Sequence, residues 1–240
     1  MFKICSAGII VLILAGCGAP KLRQPPPPSQ VAAQSHASPS GRTYRVDETQ
    51  SELRILVYRA GPLARFGHNH VIVNRAVGGT VSLTVASATA TAAAGSTFSL
   101  SVPVAAFMVD EPQARREEGL DFAAEIADDA RVGTLHNMQS SAVLDAEEFP
   151  VITLSGVGVA ASSGVADPGR MSAAVTISVA GHESTVEVPF ALQVDAGRLA
   201  ATGTLQMRQS ALGLTPYSLL LGALQVQDTM TIKFKIVADL

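Results

Sequence analysis

Polar and apolar residues alternate along most of the chain after residue 43. Leu53, Ile55 and Val57 alternate with Glu52, Arg54, Leu56 and Tyr58. Val81, Leu83 and Val85 alternate with threonine and serine, as do Phe98, Leu100 and Val102. The same rhythm returns at Val175, Ile177 and Val179, at Val186, Val188, Phe190 and Leu192, at Leu205 and Met207, and at Ile232, Phe234 and Ile236. Successive side chains of a strand point to opposite faces, so this period predicts half-buried antiparallel strands. About eight such strands suit a closed barrel, which leaves no unpaired sheet edge.

One stretch breaks the rhythm. Asp110-Glu111-Pro112 looks like a helix start, with acids first and proline early. From Gln113 to Asn137 charges are frequent and β-branched residues few, which predicts one or two short helices broken at Gly119 and Gly133. The expected architecture is therefore all-β: an antiparallel barrel with a helical insertion between the early and late strands.

The N-terminus follows another pattern. Lys3 precedes the apolar run Ile9–Ala15, which is far short of the roughly 20 residues that span a bilayer and reads as a secretory signal. It ends in Leu14-Ala15-Gly16-Cys17, a string that resembles the bacterial lipobox. Lipidation at Cys17 would anchor the chain to a membrane, since each buried CH₂ contributes about 0.8 kcal/mol. Gly18 after the cysteine, in place of Asp, favours the outer membrane. The expected setting is the bacterial cell envelope, on the periplasmic face. Residues 17–42 carry Pro20, Pro25, Pro26, Pro27, Pro28 and Pro39 among Gln, Ser and Ala. Such a segment favours extended polyproline II at ~3.1 Å per residue and reads as a linker. The expected divisions are a signal at 1–16, the linker at 17–42 and one domain at 43–240.

Composition narrows the function. The 240 residues are 48% hydrophobic, only 15% charged and 5% aromatic, with no tryptophan. The formal charge of −3 offers no basic excess for phosphates, which excludes the usual nucleic-acid binders. Of the two cysteines, Cys5 falls in the signal and Cys17 at the lipidation site, so the domain has no thiol for disulfide, catalysis or metal.

Candidate chemistry is sparse. His68-Asn69-His70 places two imidazoles on one face of an extended segment, where both can meet one metal ion. His136 and His182 are the other histidines of the domain, and their convergence would make a zinc or copper site. The acids Asp110, Glu111, Glu117, Glu118, Asp121, Glu125, Asp128 and Asp129 read as a solvated helical face, with Arg115 and Arg116 pairing across a turn, rather than as catalytic carboxylates. No Gly-x-Ser-x-Gly elbow or phosphate loop occurs, so no enzyme activity is expected. Arg59 and Arg65 flank Gly61-Pro62; they read as surface arginines, with contact to an anionic head group at a barrel mouth as the alternative.

Several short stretches, in order, resemble the YceI-like family of polyisoprenoid-binding, lipocalin-like periplasmic proteins. Tyr44-Arg45-Val46-Asp47 with Ser51-Glu52-Leu53 is similar to its opening strand. Glu148-Phe149-Pro150-Val151-Ile152-Thr153-Leu154 is similar to its aromatic-Pro-x-Ile strand, and Val175 to Phe190, turning at Gly181, to its hairpin. Gln209 to Leu214 and then Val226-Gln227-Asp228 are similar to the segments before its last strand. Leu212 stands where an aromatic is usual, Arg115 to Leu120 replaces an Arg-Asp-x-His-Leu string, and Gly67-His68-Asn69-His70 marks a variant branch. The resemblance implies a lipocalin-like barrel with an apolar tunnel for an isoprenoid, quinone or fatty-acyl chain, and no catalytic residues. On that reading Leu53, Ile55, Val57, Phe98, Leu100 and Val102 line the tunnel, and Phe107 and Phe122 close one end. Carriage or sequestration of the lipid is the expected role, and a histidine-based metal-binding envelope module the alternative.

Overall fold

The computed structural model describes residues 41–84, 95–161 and 170–240. Cys17, the signal and all but the end of the linker lie outside the described residues, as does Val85. The chain order begins with β1 (Arg42–Val46), β2 (Glu52–Val57), β3 (Arg59–Ala60), β4 (His70–Asn74), β5 (Gly78–Leu83), β6 (Thr97–Pro103) and β7 (Phe107–Val109). Two helices follow, α1 (Pro112–Glu117) and α2 (Asp128–Gln139). Then come β8 (Val151–Ala161), β9 (Arg170–Val179), β10 (His182–Asp195), β11 (Arg198–Arg208), β12 (Ser218–Leu219), β13 (Leu224–Val226) and β14 (Thr229–Asp239). No helix among the described residues is long and apolar enough to cross a membrane.

The strands β1, β5, β6, β8, β9, β10, β11 and β14 pair antiparallel in that order, and β14 pairs back to β1. The ring closes at eight strands, as the alternation predicts. One edge of β14 has two successive partners. Thr231 to Lys235 pair with β2, which continues the sheet into β4 and β7, while Ala238 and Asp239 pair with β1. Buried Ser51 fills the junction: its Oγ accepts the Val237 N–H at 3.0 Å and donates to the Val237 carbonyl at 3.3 Å, and Asp47 N–H reaches the same carbonyl at 2.8 Å. The Val237 N–H and carbonyl thus keep partners where the strands change over.

Two turn features explain parts of the family resemblance. Ala180 and Gly181, both at positive φ, form the two-residue connection between β9 and β10 that a type I′ hairpin requires. Asp228 accepts hydrogen bonds from Ser210 Oγ, Ser210 N–H and Arg208 Nε, which lower its pKa to about 2. It thereby fixes the turn after β11 to the start of β14.

The helical insertion differs in detail from the sequence expectation. Pro112 does begin α1, and Gly119 at φ +83° does end that stretch. Gly133 does not break anything; it lies inside α2, whose backbone hydrogen bonding runs through it. Asp110 and Glu118 are also not solvated. Asp110 is fully buried and the Glu118 side chain is 4% exposed. Arg115 pairs with Asp110, five residues back and before the helix, and Arg116 with Gln113.

Burial separates into two cores. The larger fills the ring of strands and includes Val102, Phe107, Ile177, Leu199 and Ile236. The smaller lies on the other face of β2 and β4, where Leu56, Val71 and Val73 meet Ala114 of α1 and Phe122, with Tyr58 beside them.

Candidate functional site

The inward side chains of the barrel do not meet in the middle. They enclose a cavity of about 260 Å³, far more than the roughly 10–15 Å³ that admits one water. Its lining is apolar but for Ser96, Thr97 and Gln209. Ser96 Oγ accepts the Thr84 N–H, and Gln209 Nε2 donates to the Gln227 carbonyl. A space lined this way offers water almost no partners, and apolar surface left there is available to an apolar ligand.

The wall is built to stay thin in two places. Phe98 of β6 faces Gly156 of β8, and Phe234 of β14 faces Gly203 of β11. A Cβ on Gly156 would come within 2.4 Å of the Phe98 ring, and one on Gly203 within 2.5 Å of the Phe234 ring. Each glycine lets an inward aromatic lie back over the neighbouring strand instead of projecting across the barrel. At one end, Met138 of α2 with Val143 and Leu144 borders the space; at another part of the rim stand Met207, Met230, Leu212 and Leu214.

Leu53, Ile55, Val57, Phe98, Leu100, Val102 and Phe107 all line this cavity. Phe122 does not. It sits in the outer core, 5.9 Å from the Tyr58 ring between centroids, because the turn after α1 packs on the outward face of β2 and β4. The role of end closure assigned to it falls instead to α2 and the turn that follows.

The histidines do not assemble. Among the described residues no group of three or more His, Cys, Asp or Glu side chains is placed to hold a metal. His68 and His70 are neighbours, with ring centroids 6.4 Å apart. His136 belongs to α2, and His182 opens β10 against Gly213. The expected four-histidine site is not formed: His68 and His70 are neighbours, but neither His136 nor His182 joins them in a group that could hold a metal.

His70 has a different partner, which the sequence did not suggest. Its Nδ1 lies 2.6 Å from Asp110 Oδ2, and because an ionised carboxylate only accepts, Nδ1 carries the proton. Asp110 Oδ1 accepts the Val71 N–H at 2.9 Å and Arg115 Nη1. Arg115 also donates to the Asn69 and Ala124 carbonyls. Burial opposes the charge on Asp110, but His70, Val71 and Arg115 outweigh it and hold its pKa below the ordinary carboxylate value. His68 is pushed down, first by burial and then by the charges of His70 and Arg115. The assembly pins α1 to the edge of β4. It was hidden in the sequence because its members come from three separated segments; the one local signal is an acid directly after the apolar run Phe107–Val109, too early to cap α1.

A second ionic cluster covers the outward face nearby. Arg54 bonds Glu118 at 2.8 Å and Glu117 at 2.9 Å, and Lys233 also reaches Glu118. Burial opposes the charges of Arg54 and Glu118, yet the pairing keeps Arg54 more strongly protonated than usual and lowers the Glu118 pKa. These acids are occupied as clamps, not poised as an acid–base pair.

The comparisons with known proteins agree with this architecture. The family model described as YceI-like domain matches residues 44–238. Among solved structures the chain is similar to BcnA of Burkholderia cenocepacia, with a TM-score of 0.56 and 17% identity over 80% of this chain and 99% of that one. It is also similar to a polyisoprenoid binding domain from Saccharophagus degradans implicated in plant cell wall breakdown, with a TM-score of 0.51 and 13% identity over 82% of this chain and 97% of that one. At these identities the likeness speaks to the fold. No curated protein matches the chain. An eight-stranded antiparallel barrel around an apolar cavity, matched by the family model along nearly all its length, makes this chain a member of the YceI-like domain family.

Proposed function

We propose that this protein binds the apolar chain of an amphiphilic lipid inside its barrel, and carries or sequesters it without chemical change. The observation that carries the reading is the cavity, a space of about 260 Å³ walled almost entirely by aliphatic and phenylalanine side chains. Ligand pockets gain affinity by burying apolar surface, and polar groups in them mainly fix orientation. Here nearly all the lining is of the first kind, which favours an isoprenoid, quinone or fatty-acyl chain with its head outside. The similarity to a polyisoprenoid binding domain supports the same class of ligand.

We further infer a setting at the bacterial envelope, with Cys17 lipidated, the linker extended and the barrel on the periplasmic side, at the outer membrane. The lipobox-like Leu14-Ala15-Gly16-Cys17 and the proline-rich stretch support this. Metabolic labelling with a palmitate analogue would mark the wild-type chain and not Cys17→Ser; equal labelling of both would remove the anchor from the reading.

The ligand itself is tested by mass spectrometry of organic extracts from gently purified protein. A co-purifying long-chain lipid is expected, together with a rise in melting temperature when that lipid is added back. Extracts free of lipid, with no thermal shift from isoprenoid alcohols, quinones or fatty acids, would contradict the proposal.

A further inference from the structure

The strands that border the cavity at Val57, Met207 and Met230 run into two loops that pack together. Residues 59–67 and 217–226 form a small sheet in which β3 pairs with β13 and β13 with β12. Leu63 N–H bonds the Ala223 carbonyl at 2.8 Å, and Gly61 approaches the Gly222 and Ala223 carbonyls so closely that a Cβ would sit within 2.7 Å of both. Cavity-lining Leu212 and Leu214 lead directly into the second loop.

The outer surface of this pair is apolar. Phe66 is 65% exposed, Leu220 70% and Leu221 fully exposed, with Leu219 beside them. Leu220 and Leu221 both hold positive φ, at 50° and 54°. That conformation is unfavourable for leucine, and neither side chain gains a buried contact from it. Exposed leucines held outward on strained backbone are costly in water alone, and an apolar surface of this kind marks an interaction site.

The charge around the patch identifies the partner. The stretch 59–70 contains Arg59 and Arg65 and no acid, and 209–227 contains no charged residue. The Arg65 guanidinium lies 4.5 Å over the Phe66 ring. The chain as a whole is acidic, at −3, so a cationic and apolar tip stands out against it. Leucine and phenylalanine with flanking arginines suit the boundary between head groups and acyl chains, and arginine is attracted to anionic lipid.

We propose that this tip docks on an anionic bilayer surface, seating Leu220, Leu221 and Phe66 among the head groups with Arg59 and Arg65 against the phosphates. Resting on the lipid-binding reading, the docking places the cavity border next to the source of its ligand, so that an apolar chain need not cross water.

The absence of tryptophan makes the tip directly observable. The full chain carrying Cys17→Ser and Leu221→Trp has one tryptophan, at a position where the native side chain packs on nothing. Its emission is measured with vesicles of phosphatidylcholine alone and of phosphatidylcholine and phosphatidylglycerol in equal parts. A blue shift with the anionic vesicles, quenched by brominated acyl chains, weakened by salt and reduced by Arg65→Gln with Phe66→Ser, is expected. Attachment through the leader segment alone leaves the tip emission unshifted and overturns the proposal. So does an equal shift on neutral vesicles, or a shift without vesicles that grows with protein concentration, which would assign the tip to a second copy of the chain. Lipid extraction from the cavity is a separate readout, so a failure of docking and a failure of ligand binding remain distinct.

Discussion

The two faces of β2 and β4 are built on opposite terms. Inward, Leu53, Ile55, Val57 and Ile72 face an open apolar space. Outward, Leu56, Val71 and Val73 are covered by α1 and Phe122, and the rim of that contact is tied by Asp110, His70, Arg115, Arg54 and Glu118. A close-packed interior is the norm, and an unfilled one loses contacts on every lining atom. In this molecule the wall is therefore held from outside and by its own closure. The same strands then can leave their inner face unfilled.

The largest effect is expected on the outer face. Asp110→Ala removes the carboxylate from His70 and Arg115 and leaves a buried guanidinium without its counter-charge, a loss of about 3–5 kcal/mol. Urea unfolding would read it; a loss under about 1 kcal/mol would mean that the outer clamp is not what holds the wall. The same group gives a pH test. Its folded pKa lies below its ordinary value of 3.8, so its contribution to stability is complete above that value. The contribution falls away as acid carries the pH down through the lowered folded value. In the Asp110→Asn variant that part of the acid transition should be absent, and an unchanged acid limb would assign it to other carboxylates.

A smaller change reaches the inner face. Gly156→Ala puts a methyl where the Phe98 ring now rests, and the ring must swing toward the cavity. Overpacking of this kind costs about 1–3 kcal/mol. The sharper readout is ligand uptake, which should fall although every ion pair outside is intact. Uptake equal to wild type would show that the chain does not pass between Phe98 and the opposite wall.

Lys233→Ala probes the exposed edge of the clamp. Its side chain is 40% exposed, so the loss should be about 0.2–1 kcal/mol and should shrink in high salt. His136→Ala, in a helix with no buried residue, should change stability by less than about 0.5 kcal/mol and leave zinc and copper affinity as in wild type. A drop in metal affinity there would reopen the histidine site.

The inner face was legible in the sequence and the outer one largely was not. Period 2 at Leu53, Ile55 and Val57 and at Phe98, Leu100 and Val102 gave the strands and their cavity side, because one pleat repeat decides orientation. Phe122 was misplaced since an apolar residue after a helix carries no mark of which side of a sheet it will meet. Asp110 looked like a helix-start acid; its burial depends on His70 and Arg115, and pairing across 40 residues of chain leaves no local pattern. The hollowness itself was implied only by the family resemblance. The glycines opposite Phe98 and Phe234 give those rings room to lie over the neighbouring strands, and their significance depends on register.

On the proposed function, a lipid chain occupies the barrel between Phe98 and Phe234. A crystal structure of protein purified without lipid removal tests it most directly. Continuous elongated density along Leu100, Ile177 and Leu205, with its polar end leaving the barrel, is the predicted result. A barrel with only water in that space, or with the side chains collapsed to fill it, would rule out lipid binding there.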